Sequence, residues 1–210
     1  HLERHKTFKN YVNAKFKIIK SQNKKGYAFI ENKNKILYKL IKKHQIKSNI
    51  VKINYLKYTD HLKKIDNIYF NNSSNQKNLC FVFSIAKILK LKIKSVINAA
   101  NKFKGLRYRQ QIIYKSRKLL IINDSKSTSF SSTVPLLENY KNIYWILGGQ
   151  AKKGDKFKLS KKYLSNIKAY IYGKDSDFLI KTLEKKIFCQ KFSSLEKIIK
   201  NLNRIIKKNN

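Results

Sequence analysis

Beyond residue 118, short apolar runs and amphipathic segments alternate so regularly that few folds accommodate the pattern. The runs are "KLLII" (118–122), "IYWIL" (143–147), "AYIY" (169–172) and "IFCQKF" (187–192). Between and after them lie "TVPLLENY" (133–140), "DFLIKTLEKK" (177–186) and "SSLEKIIKNLNRII" (193–206), each with apolar residues at helical spacing. Strand, helix, strand, helix at this spacing predicts a parallel sheet wrapped by helices, because parallel neighbours need a long crossover. Pro135 is expected near the start of its helix. Ligands of such sheets bind at the carboxyl ends of the strands. Two polar clusters fall there, "NDSKST" (123–128) and "GGQAKKGDKF" (148–157).

The first hundred residues are less regular. "TFKNYVNAKFKII" (7–19) reads as a helix capped by Thr7. "GYAFIE" (26–31) and "NIVKINYL" (49–56) read as strands around a lysine-rich helix over 34–44. Within residues 57–74, "NIYF" is the expected strand. Helices follow over 75–89 and 95–103, and Gly105 marks the stop and the domain boundary.

Lys and Arg number 49 against 11 Asp and Glu, a net charge of +38. Such charge raises nucleic acid as a partner, since cations that neutralise phosphates release counterions. Here the lysines are scattered among Asn and Ile from end to end, so solvated faces of a lysine-biased chain explain them better. A basic nucleic-acid-binding module is the rival reading, and it needs lysines gathered on one face with stacking aromatics. The Tyr and Phe residues fall mostly at core periodicity instead. Cys80 and Cys189 share no metal-binding spacing and read as reduced thiols of a cytoplasmic protein. No run reaches the 18 apolar residues of a membrane span.

In so acid-poor a chain, Asp124 at the end of a buried strand calls for a reason. Taken alone it is a turn-former or cap. With Lys126 and Thr128 beside it, the loop could also hold a ribose hydroxyl, a phosphate and a carboxylate. Lys152, after Gly148-Gly149, is either a solvated lysine or an anion receptor where glycines let backbone amides approach a ligand.

The order of these segments resembles one family. "GLRYR", "LLIINDSKSTSFSSTVPLL" and "YWILGGQAKKGDKF" are similar to the Gly-Leu-x-His-Arg, Asn-Asp-Ser-Lys-Ala-Thr and Gly-Gly…Lys segments of the bacterial Mur ligases, in the branch that adds D-glutamate. "HLERHKTFKNYVNAKFKII" (1–19) resembles that family's Asp-His-Leu-x-Arg-His and Tyr-x-x-Ala-Lys segments, and "NQKN" (75–78) its Asn-x-x-Asn. The resemblance implies an α/β fold: the later half of a central P-loop-type ATPase domain over residues 1–104, then a Rossmann-like parallel-sheet C-terminal domain over 105–210. It also implies an ATP- and Mg²⁺-dependent amide ligase joining D-glutamate to UDP-N-acetylmuramoyl-L-alanine, acting as a cytoplasmic monomer. A relative with another amino-acid substrate is the nearer alternative.

By motif position the resemblance assigns His1 as a metal ligand and Lys15 as the lysine that is carbamylated to help hold Mg²⁺. Asn75 and Asn78 match adenine-side contacts; their plainer reading is a helix N-cap and a first-turn Asn, and for Asn75 both could hold. Arg109 and Asp124 match residues reaching the phosphate and ribose of ATP. Lys126 and Thr128 match the loop shared with substrate, and Lys152 matches a lysine facing D-glutamate. Tyr108 stands where the family has His, and no role is carried onto it. No Gly-x4-Gly-Lys-Ser/Thr sequence occurs in the 210 residues. The chain also lacks Met and opens on His1. It is therefore expected to be an internal fragment, inactive alone, with the P-loop upstream and the last strand beyond Asn210.

Overall fold

A computed structural model describes residues 2–152 and 154–208 of the chain. His1, the expected metal ligand, lies outside the described residues. The chain forms two compact units, one of residues 1–66 and 76–102, the other of residues 67–75 and 103–210. The divisions between the units fall at 66/67, 75/76 and 102/103.

In the first unit a short helix α1 (Leu2–His5) precedes α2 (Phe8–Lys20), whose first turn is capped by Thr7 Oγ1 accepting the Asn10 N–H at 3.1 Å. Strand β1 (Tyr27–Glu31), helix α3 (Lys35–Lys43) and strand β2 (Asn49–Ile53) make a β-α-β unit with β1 and β2 parallel, Tyr27 opposite Asn49. Ala28, Ile30 and Ile53 are buried. After a 3₁₀ turn (Tyr55–Tyr58) and α4 (Thr59–Leu62), α5 (Ser73–Ile88) and α6 (Ile93–Lys102) follow. Leu79, Cys80, Phe83 and Ala86 form the buried side of α5 in this unit, with Phe83 stacked on Tyr58 at 5.8 Å between centroids. "NIYF" is not a strand. Ile68–Phe70 form a 3₁₀ turn, because Asn67 caps it: its Oδ1 accepts the Tyr69 N–H at 3.0 Å and its carbonyl the Phe70 N–H at 2.9 Å.

In the second unit β3 (Gln111–Lys115) pairs antiparallel with β4 (Leu120–Asn123). The sequence reading missed β3 and put β4 in the parallel sheet. A tight turn explains the difference: Ser116 Oγ accepts the Leu119 N–H at 3.0 Å, and the Ser116 N–H donates to the Leu119 carbonyl at 2.8 Å. A four-residue link returns the chain beside itself, where a parallel partner needs a crossover. Next comes α7 (Phe130–Leu137). Its Ser129/Ser132 capping box starts the helix early enough that Pro135 falls inside it, not in its first turn, and forfeits one helical hydrogen bond.

The parallel sheet is β5 (Ile143–Gly148), β6 (Ile167–Tyr172) and β7 (Phe188–Lys191), in that order, joined by α8 (Lys161–Leu164) and α9 (Ser176–Leu183) and followed by α10 (Leu195–Lys208). Side chains of the central β6 alternate between two cores, as a strand covered on both faces requires. Ile167, Ala169 and Ile171 pack with Phe130, Leu137, Phe157, Leu179 and Leu183. Tyr170 packs with Ile198 and Leu202, the apolar stripe of α10. Helix-covered parallel strands place their carboxyl ends, Gly148 and Tyr172, beside one another.

Candidate functional site

The turn from Gly105 to Gln111 is built from unusual backbone. Gly105 has φ +79, and Tyr108 and Gln110 hold φ of +63 and +48, a region costly for side-chain-bearing residues. The Arg109 N–H closes the turn on the Leu106 carbonyl at 3.2 Å. The chain therefore doubles back at Arg109, whose guanidinium stands exposed.

Gln110 joins three segments remote in sequence. Its Oε1 accepts from Asn72 Nδ2 at 2.7 Å and Asn75 Nδ2 at 3.0 Å. Its backbone N–H donates to Asp124 Oδ1 at 3.0 Å. Asp124 Oδ2 accepts the Ser127 hydroxyl at 2.6 Å, and the Lys126 N–H donates to the Tyr108 carbonyl at 3.0 Å. Asn75, Arg109, Asp124 and Lys126 thus share one site in the second unit. Tyr69 reports the same neighbourhood: burial pushes its phenol up, the Arg109 charge opposes that rise, and the Asp124 charge adds to it.

Asn75 is not the helix cap. Asn72 Oδ1 accepts the Asn75 N–H at 2.9 Å, so Asn72 caps α5 and Asn75 occupies its first turn. Asn75 is 7% exposed, and both hydrogens of its amide are used, on the Tyr69 carbonyl (2.7 Å) and on Gln110. Asp124 is the turn-former that its residue type suggests, since its carbonyl also accepts the Ser127 N–H at 2.8 Å. Its carboxylate takes one hydrogen bond per oxygen, leaving acceptor capacity on a half-exposed group.

The second polar cluster is tied to the first by aspartates. Asp155 Oδ2 accepts the Phe130 N–H at 2.6 Å, anchoring the loop after β5 to the start of α7. Asp175 Oδ2 accepts the Ala151 N–H at 2.8 Å, anchoring the same loop to the start of α9. Gly148 is obligatory there, because a Cβ would sit 2.5 Å from the Tyr172 carbonyl oxygen. Lys152, half-buried, lies between the two ties, while Thr128 and Lys126 are exposed two and four residues before Phe130. Among the described residues the ion pairs are Lys63–Asp60 and Lys191–Asp177, so Arg109, Lys126 and Lys152 have no carboxylate within ion-pair distance.

Two expected site residues lie in the first unit. Asn78 is exposed one turn after Asn75. Lys15 is exposed on α2 with its ammonium 5.8 Å from the Tyr11 ring centroid. Among the described residues no group of three His, Cys, Asp or Glu could hold a metal ion, and an ammonium offers no lone pair. No described helix is long and apolar enough to cross a membrane.

Sequence reasoning missed Asn72, Gln110, Asp155 and Asp175. The two acids carried a signal, being two of only 11 in the chain and both in the segments that follow strands of the parallel sheet. Gln110 carried none, since only the fold brings it to Asn75.

Comparison with known proteins shows the family of the chain. Residues 1–106 match the Mur ligase middle domain. A UDP-N-acetylmuramoylalanine–D-glutamate ligase of Wolbachia pipientis wMel is 32% identical over 141 residues, covering 67% of this chain and 28% of the relative. The protein of the same name from Wolbachia sp. subsp. Brugia malayi is 29% identical over 208 residues, 93% of this chain and 42% of the relative. That from Rickettsia bellii is 29% identical over 204 residues, 87% and 45%. The chain spans less than half the length of these curated relatives. The crystal structure of MurF from Acinetobacter baumannii shares the fold, with a TM-score of 0.71 at 12% identity over all of this chain and 51% of that one. The chain belongs to the Mur ligase family.

Proposed function

We propose that this polypeptide is part of an ATP-dependent ligase that joins D-glutamate to UDP-N-acetylmuramoyl-L-alanine in cytoplasmic peptidoglycan precursor synthesis. Residues 1–104 are then the later half of the ATP-binding domain and 105–210 the C-terminal domain. The observation that carries the reading is the Asn75–Gln110–Asp124 junction, which supports a nucleotide site by drawing a base-side amide and a ribose-side carboxylate into one network. The names of the relatives support D-glutamate as the amino acid added.

In this reaction the γ-phosphoryl group of ATP passes to the substrate carboxylate, and ADP leaves. The amine of D-glutamate then attacks the acyl carbon, loses a proton, and the tetrahedral species expels phosphate. All the reactants are anionic, so assembling them requires compensating charge and fixed positions. Arg109, exposed and without a carboxylate partner among the described residues, neutralises a nucleotide phosphate. The remaining lone pairs of Asp124 accept ribose hydroxyls. Lys126 and Thr128, held by the same loop, face the reacting carboxylate. Lys152, its loop fixed by Asp155 and Asp175, receives a carboxylate of the amino acid. Lys15 contributes only if carbamylated, which converts a cation into an oxygen donor.

The test is phosphate release by the intact protein with ATP, UDP-N-acetylmuramoyl-L-alanine and a panel of amino acids. Release that needs all three substrates and prefers D-glutamate is expected. Preference for another amino acid overturns the D-glutamate assignment, and release independent of the nucleotide sugar overturns the ligase reading. The 210 residues alone, lacking a P-loop sequence, are expected to release none.

A further inference from the structure

We propose that Asp175 is a positioning residue for Lys152, its carboxylate diverted from capping α9 to fix the loop that presents this lysine to the amino-acid substrate. The inference rests on the reading of Lys152 as the receptor of an amino-acid carboxylate.

Asp175 occupies the N-cap of α9, where its carbonyl accepts the Leu179 N–H at 3.0 Å. An aspartate at that position ordinarily turns its side chain back to accept an N–H of the first helical turn. The Asp175 side chain makes no such bond. Its Oδ2 instead reaches Ala151, 24 residues earlier, and accepts that N–H at 2.8 Å. A helix that leaves its cap unused in favour of a distant loop points to a requirement on the loop.

The loop depends on that bond. Gln150 and Ala151 follow the end of β5, and among the described residues the tie to Asp175 is the only hydrogen bond on their backbone. The Ala151 methyl meets the main core, but an apolar contact has no direction and does not set how the next residue points. On the far side of Lys152, the Asp155 N–H donates to the Lys152 carbonyl at 3.2 Å, while the Asp155 carboxylate is engaged by the Phe130 N–H. Lys152 is thus held from behind by Asp155 and from ahead by Asp175, and neither tie duplicates the other. Its ammonium has no carboxylate within ion-pair distance among the described residues. Gly149 and Gly154, on either side of it in sequence, face open space, since a Cβ at either would meet no atom within 4 Å. A lysine on a loose loop would have to be ordered as it captures an anion, whereas here the fold has ordered its backbone beforehand.

The experiment measures phosphate release by the intact protein with D-glutamate and ATP varied in turn, for the wild type, Asp175→Ser, Asp175→Asn and Lys152→Ala. Ser caps a helix as well as Asp but is too short to reach Ala151, and Asn keeps an oxygen acceptor at the same reach. Asp175→Ser is expected to raise the KM for D-glutamate about tenfold, the scale of the ordering that binding must then supply. Its kcat and its KM for ATP should stay within about twofold, as should all three constants in Asp175→Asn. A merely structural role would lower the active fraction and with it kcat, leaving the KM for D-glutamate in place. An unchanged KM for D-glutamate in a folded Asp175→Ser, an equal rise in the KM for ATP, or the same rise in Asp175→Asn overturns the positioning role while the reading of Lys152 stands. Should Asp175→Ser not fold, Asp175→Ala cuts the same bond and takes its place; failure of both to fold makes Asp175 a determinant of stability and overturns the role. An unchanged KM for D-glutamate in Lys152→Ala, or no release that depends on D-glutamate in the wild type, overturns the reading of Lys152 and this inference with it.

Discussion

Removing the Asp155 carboxylate should loosen the second unit at the junction of its two loops. Asp155 Oδ2 accepts the Phe130 N–H at 2.6 Å, and Phe130 opens α7 with its side chain in the main core. A hydrogen bond to a charged group contributes about 1.5–3 kcal/mol, and a carboxylate at a helix N-terminus adds a few tenths more through the dipole. The two contributions overlap, so Asp155→Ala should cost about 2 kcal/mol. Asp155→Asn keeps an acceptor without the charge and should cost about 1 kcal/mol. The assay is urea unfolding followed by fluorescence of Trp145, the only tryptophan, whose ring lies 6.1 Å from Phe130 and 5.8 Å from Phe157 between centroids. With a urea slope of roughly 2 kcal/mol/M, Ala should lower the midpoint by about 1 M and Asn by about half that. Equal midpoints for Ala and Asn would show that charge contributes nothing. A loss below about 0.5 kcal/mol for Ala would refute the anchoring role altogether.

Gly148→Ala should cost about 1–3 kcal/mol by the same assay, because its Cβ would meet the Tyr172 backbone oxygen at 2.5 Å and that oxygen cannot move without parting β5 from β6; a change within 0.5 kcal/mol would contradict the close approach. Burial raises the thiols of Cys80 and Cys189 to about 11, so the folded chain holds these protons more tightly than the unfolded chain. That contribution to stability is complete below pH 9 and is lost as pH rises toward 11, and equilibrium unfolding across that window should show the fall, with a flat profile contradicting it. Asp124→Asn should leave stability within about 1 kcal/mol, since the amide oxygen still accepts the Gln110 N–H and the Ser127 hydroxyl can rotate to accept from the amide nitrogen. It should nevertheless weaken ATP binding by the intact protein about tenfold, and equal affinities would remove the carboxylate from the ribose contact.

The sequence was most legible where one pattern had one physical cause. Ile167, Ala169 and Ile171 alternate with Tyr170 because β6 is covered on both faces, and α10 reads cleanly because Ile198, Leu202 and Ile205 fall on one stripe. Legibility ended where a side chain competed with the local pattern. "NIYF" alternates like a strand, but Asn67 ahead of it supplies an oxygen to the Tyr69 N–H and winds the segment into a 3₁₀ turn. β3 was hidden because "QIIYK" mixes exposed and half-buried positions, with a register shift between Ile112 and Tyr114 that spoils a period of two. In the site, the polar loops announced themselves at strand ends. Asn72 and Gln110 did not, since hydrogen bonds between segments 38 residues apart leave no trace in local composition.

Asp124, proposed here as a ribose contact, shows why such a residue is hard to tell from a structural one. Its carboxylate accepts the Gln110 N–H with one oxygen and the Ser127 hydroxyl with the other, so it earns its place in the fold before any ligand arrives. Those bonds also fix both oxygens in direction. A carboxylate fixed by one bond per oxygen retains lone pairs at known angles, whereas a free aspartate would lose side-chain entropy on meeting a ribose. The same holds for Asn75, whose two donor bonds immobilise the oxygen left unpaired. On the proposed reading, structural satisfaction and ligand preorganisation are one arrangement, and Gln110 is common to both halves of it. In a chain saturated with lysine, anionic ligands need little help finding the surface. What the fold has to supply is the placement of a few acceptors among those charges, the part that the proposed function gives to the acids and amides around Gln110.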